Sequence, residues 1–192
     1  MRLSFGKTAA AALTVALFPF AALGCYIVAI QLHQNFAVVV ADQVYRSAQP
    51  TAADIRRYVS DEHIASIINL RGESAGSSWY DEEVAASNAL GLTHYDFRMT
   101  ASQTLTQPEA AQLLEVLEHA EKPVLLHCNW GADRTGLAAA LYLAAIAKTD
   151  EEQAEGQLSL RFGHFSIPVL SQAYAMDATF ESLEPWLGFP GS

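Results

Sequence analysis

The stretch Val124-Leu125-Leu126-His127-Cys128-Asn129-Trp130-Gly131-Ala132-Asp133-Arg134-Thr135-Gly136 decides how this chain is read. Pro123 to His127 has the make-up of a short buried strand, and Arg134 to Ala147 that of a strongly apolar helix. The unbroken apolar run in that helix, Leu137 to Ala147, has 11 residues, too few to span a membrane. Between strand and helix lies a tight loop that opens on a cysteine and closes on Arg, Thr and Gly. Backbone N–H groups in such a loop, ahead of a helix N-terminus, converge on negative charge. The planar fork of Arg134 can hold two phosphate oxygens. Cys128 stands in the same positive field, which favours a thiolate and makes the sulfur a nucleophile. Gly131 lets the loop turn where a side chain would obstruct it. The phosphate-binding group is then Asn129, Trp130, Gly131, Ala132, Asp133 and Arg134.

Outward from this loop, strand and helix patterns alternate. Gln43 to Ser47 reads as a strand closed by Gln49-Pro50, and Ala65 to Leu70 as a buried strand. Thr51 with Asp54 caps a helix reaching about Val59, and Trp79 to Ala89 is helical, ending at Gly91. Thr93 to Met99 is a further strand. Thr106 and Glu109 form a capping box, with Pro108 in the first turn of a helix to about His119. Two last helices are expected near Asp150 to Leu160 and Pro168 to Leu183. This order predicts an α/β fold: a central, mainly parallel sheet flanked by helices.

The N-terminus is of another kind. Thr8 to Ile30 are 23 residues without a charge. As a helix they reach roughly 35 Å, enough for a ~30 Å hydrocarbon core. Arg2 and Lys7 precede them and no acid follows before Asp42, so the N-terminus stays cytoplasmic and the remainder is exported. Pro19 would kink the helix, which membrane helices tolerate. Two other readings also export the chain. A cleaved signal peptide has a shorter apolar region. A lipoprotein signal is suggested by Ala22-Leu23-Gly24-Cys25, but Tyr26 to Ile30 carries the apolar run past the cysteine. The expected organisation is a transmembrane anchor and short linker over residues 1–35 and one domain over residues 36–192. The expected location is the inner membrane, single-pass, with the domain on the exported side.

Beyond residue 31 there are 9 basic against 21 acidic residues, a net charge of −12. A domain so acidic lacks the field that draws proteins to nucleic acid. Two cysteines, Cys25 and Cys128, exclude a disulfide framework and a cysteine-based zinc site.

His127-Cys128-x5-Arg134-Thr135-Gly136 resembles the signature of the cysteine-based protein tyrosine and dual-specificity phosphatases, and most resembles their compact, exported bacterial members. Val44-Tyr45-Arg46-Ser47-Ala48-Gln49-Pro50 and Ile68-Asn69-Leu70-Arg71 look like family landmarks, and the likeness covers roughly residues 38–147. The resemblance implies a two-step reaction that needs no cofactor and no metal. Cys128 attacks phosphorus to give a phosphocysteine, and water hydrolyses it. Arg134 and the loop amides hold the equatorial oxygens. It further implies that Thr135 hydrogen-bonds the Cys128 sulfur, that His127 orients the loop from behind, and that Arg71 supports it.

Two departures from the family pattern follow. The loop that usually supplies an aspartate as general acid reads Met99-Thr100-Ala101-Ser102-Gln103-Thr104-Leu105-Thr106 and holds no acid. Asp133, inside the signature loop, is the expected substitute, with Asp96 as the alternative. Either has a plain reading too: Asp133 as a loop brace or partner of Arg71, Asp96 as a polar residue on a strand face. Asn129 and Trp130 stand where relatives acting on inositol phosphates carry Lys and Ala, which lowers the positive charge expected at the rim. Trp130 is placed to stack on an aryl group or to pack under the loop. The expected substrate is therefore a phosphorylated protein, phosphotyrosine foremost, or a small phosphomonoester. The alternatives are a lipid phosphatase of phosphoinositide or phosphatidylglycerophosphate type, a phosphate-binding pseudophosphatase and, more remotely, a rhodanese-like sulfur transferase.

Overall fold

The computed structural model describes residues 5–168 and 170–189, with the side chains of residues 5–16 and 20 excluded. Five short strands form one sheet: β1 (Ala37–Val40), β2 (Val44–Ser47), β3 (Ser66–Asn69), β4 (Thr93–Asp96) and β5 (Val124–His127). Their spatial order is β1-β2-β5-β3-β4, with β1 antiparallel to β2 and all other neighbours parallel. The expected α/β sheet is thus present. Strand β1 was not foreseen.

Side chains alternate across the sheet with the two-residue period of a strand. Tyr45, Ile67 and Leu125 point to one face, where they pack with Ile55 and Tyr58 of α2 (Ala52–Glu62) and Ala86 of α3 (Ser78–Leu90). Val44, Ile68, Val124 and Leu126 point to the other. There they meet α4 (Gln107–His119) and α5 (Asp133–Ala145), together with α7 (Tyr174–Leu187). Helix α5 is buried from Thr135 through Ala144, because sheet, α4, α6 (Glu151–Glu155) and α7 surround it. That is why its sequence is apolar all round. The capping boxes read at Thr51/Asp54 and Thr106/Glu109 are both made.

Three boundaries differ from expectation. Strand β4 stops at Asp96, and the chain to Thr106 is irregular. Helix α6 ends at Glu155, where Gly156 closes it, and a 3-10 turn, Leu160–Phe162, follows before Gly163 at φ +76°. Helix α7 starts at Tyr174 rather than near Pro168.

A backbone helix, α1 (Phe5–Leu32), runs through Pro19 ahead of the sheet. Among the described residues no helix is long and apolar enough to cross a membrane. Of the anchor expected over residues 8–30, the side chains of residues 8–16 and 20 lie outside the described ones. The end of α1 lies against the domain: Tyr26 Oη donates to the Arg161 carbonyl at 2.7 Å.

The carboxyl ends of β2, β3 and β5 share one register, with Ser47 and Asn69 both opposite His127. Open parallel sheets bind ligands beyond the carboxyl ends of their strands. Here the residue leaving the central strand is Cys128.

Candidate active site

The loop from Cys128 to the start of α5 is shaped from outside. A trans peptide unit points its carbonyl and its following N–H in opposite directions. Four successive carbonyls are held outward. The Asn129 carbonyl accepts from Gln49 N–H at 3.2 Å. The Trp130 carbonyl accepts from Gln31 Nε2 at 3.0 Å and Asn35 Nδ2 at 3.1 Å. The Gly131 and Ala132 carbonyls accept from Arg46 Nη2 at 2.8 and 3.3 Å. The N–H groups that follow each carbonyl therefore turn inward. Among the described residues no backbone carbonyl takes the amides of Asn129 through Arg134, and the Gly136 N–H to the Ala132 carbonyl, 2.8 Å, opens the helical ladder. Unpaired backbone amides around one point form an anion cradle. Gly131 sits at φ +67°, and a Cβ there would come within 2.6 Å of the backbone of Ser47 and Ala48. Only glycine fits.

Cys128 is buried at the base of this cradle, its thiol free. Arg134 reaches along the wall and donates from Nη1 to the Met99 carbonyl at 3.3 Å, while its Nε is buried without a partner. Thr135 Oγ1 is likewise buried and unpartnered, so the expected bond to the Cys128 sulfur is not made here. Two polar side-chain atoms at the start of α5 are thus left unused.

His127, fully buried, is held by Glu83. Its Nε2 meets Glu83 Oε1 at 3.0 Å, and the same oxygen meets His94 Nε2 at 2.7 Å. The other Glu83 oxygen accepts from Gln49 Nε2. Burial alone would raise the Glu83 carboxyl pKa, but His127 and His94 outweigh it and bring it to about 2. Gln49 Oε1 accepts from Arg71 Nη1 at 2.6 Å, and the Arg71 guanidinium lies 3.4 Å from the centre of the Trp79 ring. Arg71 is thus in the site, but its partners are Gln49 and Trp79 and not Asp133. Its pKa is lowered, by burial first and by nearby Arg134 second.

The mouth is a cavity of about 400 Å³ lined by Arg71, Ser74, Trp79, Arg98, Asn129 and Arg134. Three corrections follow from it. The rim is not poor in positive charge, since Arg71 and Arg98 both face it. The aromatic ring at the mouth is Trp79; the Trp130 side chain is 61% exposed and outside this lining, so it is not packed under the loop. No acidic side chain lines the cavity among the described residues.

Both expected proton donors are engaged elsewhere. Asp133 Oδ1 meets His164 Nδ1 at 2.7 Å, and His164 Nε2 meets Asp177 at 3.0 Å. Burial disfavours the imidazolium, but the two carboxylates prevail and raise the His164 pKa. The geometry makes Asp133 a brace between the loop and α7. Asp96 accepts from Tyr80 Oη at 2.5 Å and Asn69 Nδ2 at 2.7 Å, which ties it to the strand end.

Sequence reading missed Arg46, Glu83, Trp79, Arg98 and His164. Arg46 had a signal, a charged residue inside a buried strand within a recognised landmark. It is fully buried, donates from Nη1 to the Gln157 carbonyl and side chain at 3.0 and 2.7 Å, and lies 3.8 Å above the Phe162 ring. Burial pulls its pKa down to about 9.

Known structures share this fold. P. aeruginosa TpbA is 22% identical over 78% of this chain and 85% of its own, with a TM-score of 0.61. Its complex with pTyr, a cysteine-to-serine form, superposes with a TM-score of 0.62 at 21% identity, over 83% and 93%. The catalytic core of the PP-IP phosphatase SIW14 from S. cerevisiae, solved with citrate, is 21% identical over 82% and 94%, with a TM-score of 0.57. Residues 31–155 match the model of the tyrosine phosphatase family, a span that takes in the sheet, the cysteine cradle and the residues that hold it. With nucleophile, arginine and cradle assembled on that span, the chain belongs to the tyrosine phosphatase family and is a cysteine-dependent phosphatase.

Proposed function

We propose that this phosphatase acts on phosphotyrosine and related aryl phosphomonoesters of exported proteins, held to the inner membrane by residues 8–30. The observation that carries the substrate class is the acid-free mouth, lined by Arg71, Ser74, Trp79, Arg98, Asn129 and Arg134. When Cys128 attacks phosphorus, an S–P bond forms and the P–O bond to the leaving group breaks. The leaving oxygen carries off the electron pair and must be protonated or be stable without a proton. A tyrosine phenolate, whose conjugate acid has a pKa of about 10, is far more stable than a serine alkoxide. A site without a carboxylic acid at the mouth therefore favours aryl esters. The Trp79 ring, at the rim with Arg71 over its face, supplies a wall for an aromatic leaving group. The TpbA complex with pTyr supports the same reading. Water then attacks the phosphocysteine, giving inorganic phosphate and the free thiolate, while Arg134 and the amides hold the oxygens.

A second reading has one observation in its favour. Arg71 and Arg98 at the mouth suit a substrate with a further anionic group, such as a phospholipid headgroup. The membrane assignment rests on the uncharged run from Thr8 to Ile30 behind Arg2 and Lys7.

The test is a panel of phosphotyrosine peptides, phosphoserine peptides and anionic phospholipids, turned over by the full chain in detergent. Highest kcat/KM on phosphotyrosine is the expected result; preference for lipid establishes the second reading. A reporter fused after Ser192 should be active only when exported, and the protein should stay with membranes through a salt wash. A soluble form starting beyond Gly24 would show cleavage instead.

A further inference from the structure

The Trp130 carbonyl is held differently from its neighbours in the cradle. Asn129, Gly131 and Ala132 are tethered by the domain's own β2 region, through Gln49 and Arg46. Trp130 is tethered by Gln31, in the last turn of α1, and by Asn35, three residues beyond that helix. Asn35 is 4% exposed. Its side-chain amide spends both hydrogens on carbonyls, Trp130 at 3.1 Å and Phe162 at 2.8 Å. Two carbonyl partners fix which end of that amide is the nitrogen.

The backbone around Asn35 is bent to allow this. Gln34 and Asn35 both have positive φ, 56° and 46°, a region that asparagine tolerates better than most residues. The Asn35 N–H closes the helix onto the Ile30 carbonyl at 2.7 Å, and the Gln34 carbonyl accepts from Ala48 N–H at 2.6 Å. Ala48 is one of the residues whose backbone crowds Gly131. The end of α1, the turn at residues 34–35 and the cradle are therefore one hydrogen-bonded unit.

We propose that Asn35, assisted by Gln31, is a positioning residue of the phosphatase site, and that through it the end of the N-terminal helix sets the aim of the Gly131 amide. The 130–131 peptide is planar, so fixing the Trp130 oxygen outward fixes the Gly131 N–H inward, toward phosphate. Neither residue lines the mouth cavity. The inference rests on the cysteine-phosphatase chemistry of the loop and not on whether residues 8–30 lie in a membrane.

The test uses the full chain in detergent, with an activated aryl phosphate as substrate and inorganic phosphate as competitive inhibitor. Asn35→Asp is close to isosteric but turns two donors into acceptors facing two carbonyls. It should raise the inhibition constant of phosphate at least about tenfold and lower kcat/KM about 100-fold. Gln31→Ala removes one of the two donors to Trp130 and leaves Asn35 in place. It should raise the phosphate constant about threefold. An inhibition constant does not depend on how much of the protein is active, so a merely structural role leaves it unchanged. Wild-type phosphate affinity in a folded Asn35→Asp variant overturns the proposal, and so does wild-type affinity in Gln31→Ala if the aspartate variant does not fold. A wild-type chain that turns over no phosphomonoester at all would instead fail the phosphatase reading on which the proposal stands.

Discussion

Arg46→Lys tests how the cradle is built. The change keeps a positive charge and nearly the same length, so what it removes is the planar fork. Arg46 makes four hydrogen bonds, two from Nη1 to Gln157 and two from Nη2 to the Gly131 and Ala132 carbonyls. An ammonium at one point can keep about two of them. Hydrogen bonds from a charged group contribute about 1.5–3 kcal/mol each. Losing two removes roughly 3–6 kcal/mol, a large share of the ~5–15 kcal/mol that keeps a domain folded. For a chain of this size each kcal/mol lowers Tm by roughly 2–4 °C, so Tm should fall by roughly 6–24 °C. The catalytic loss follows separately. The Gly131 and Ala132 carbonyls aim the Ala132 and Asp133 amides, and losing one donor of such a set reduces turnover by roughly 10²–10³-fold. Thermal unfolding and kcat/KM on an aryl phosphate, both on the full chain in detergent, read the two effects. A lysine variant with wild-type Tm and wild-type kcat/KM would refute the reasoning. A lowered Tm with unchanged phosphate affinity would show that Arg46 packs the fold without aiming the loop.

Other consequences are equally direct. Asp133→Asn should lower Tm and depress aryl and alkyl phosphates to a similar degree, because the carboxylate braces His164; a loss confined to poor leaving groups would make Asp133 the acid after all. The His164 pKa is raised in the folded state, so its contribution is full below about pH 6.5 and is lost as pH rises through the higher folded value. Stability measured against pH should show that decline in the wild type and lose it in His164→Gln. Gly131→Ala should abolish turnover, since its Cβ would meet the backbone of Ser47 and Ala48 at 2.6 Å; an active alanine variant would contradict the close approach. The Glu83 carboxyl, held at about 2, stabilises the fold above pH ~4.5 and should lose that effect as pH falls toward 2, so Glu83→Gln should flatten the acid limb of the stability curve.

Much of this site could be read from sequence because its chemistry is local. Cys128, Arg134 and the loop between them lie within seven residues, on a strand and a helix whose patterns are unambiguous. The capping boxes at Thr51 and Thr106 were legible for the same reason. What sequence did not disclose depends on distant partners. His164 lies 31 residues from Asp133, and no local pattern announces their pairing. Glu83 reads as an ordinary polar residue of α3, yet it is buried beneath His127, 44 residues away. Strand β1 escaped because Ala37–Val40 is a short, uniform apolar run just past the linker, with no alternation to mark an edge strand. Asn35 sat in what read as a linker, and only the fold brings it to Trp130.

The central claim is that Cys128 carries the phosphoryl group. The most direct measurement is acid-quenched mass spectrometry of the full chain during turnover of a phosphotyrosine peptide. The account predicts a phosphate adduct on the peptide containing Cys128, its decay on chase with water, and neither adduct nor turnover in Cys128→Ser, which should still bind inorganic phosphate. Sustained turnover by Cys128→Ser, or an adduct on any other residue, would contradict it.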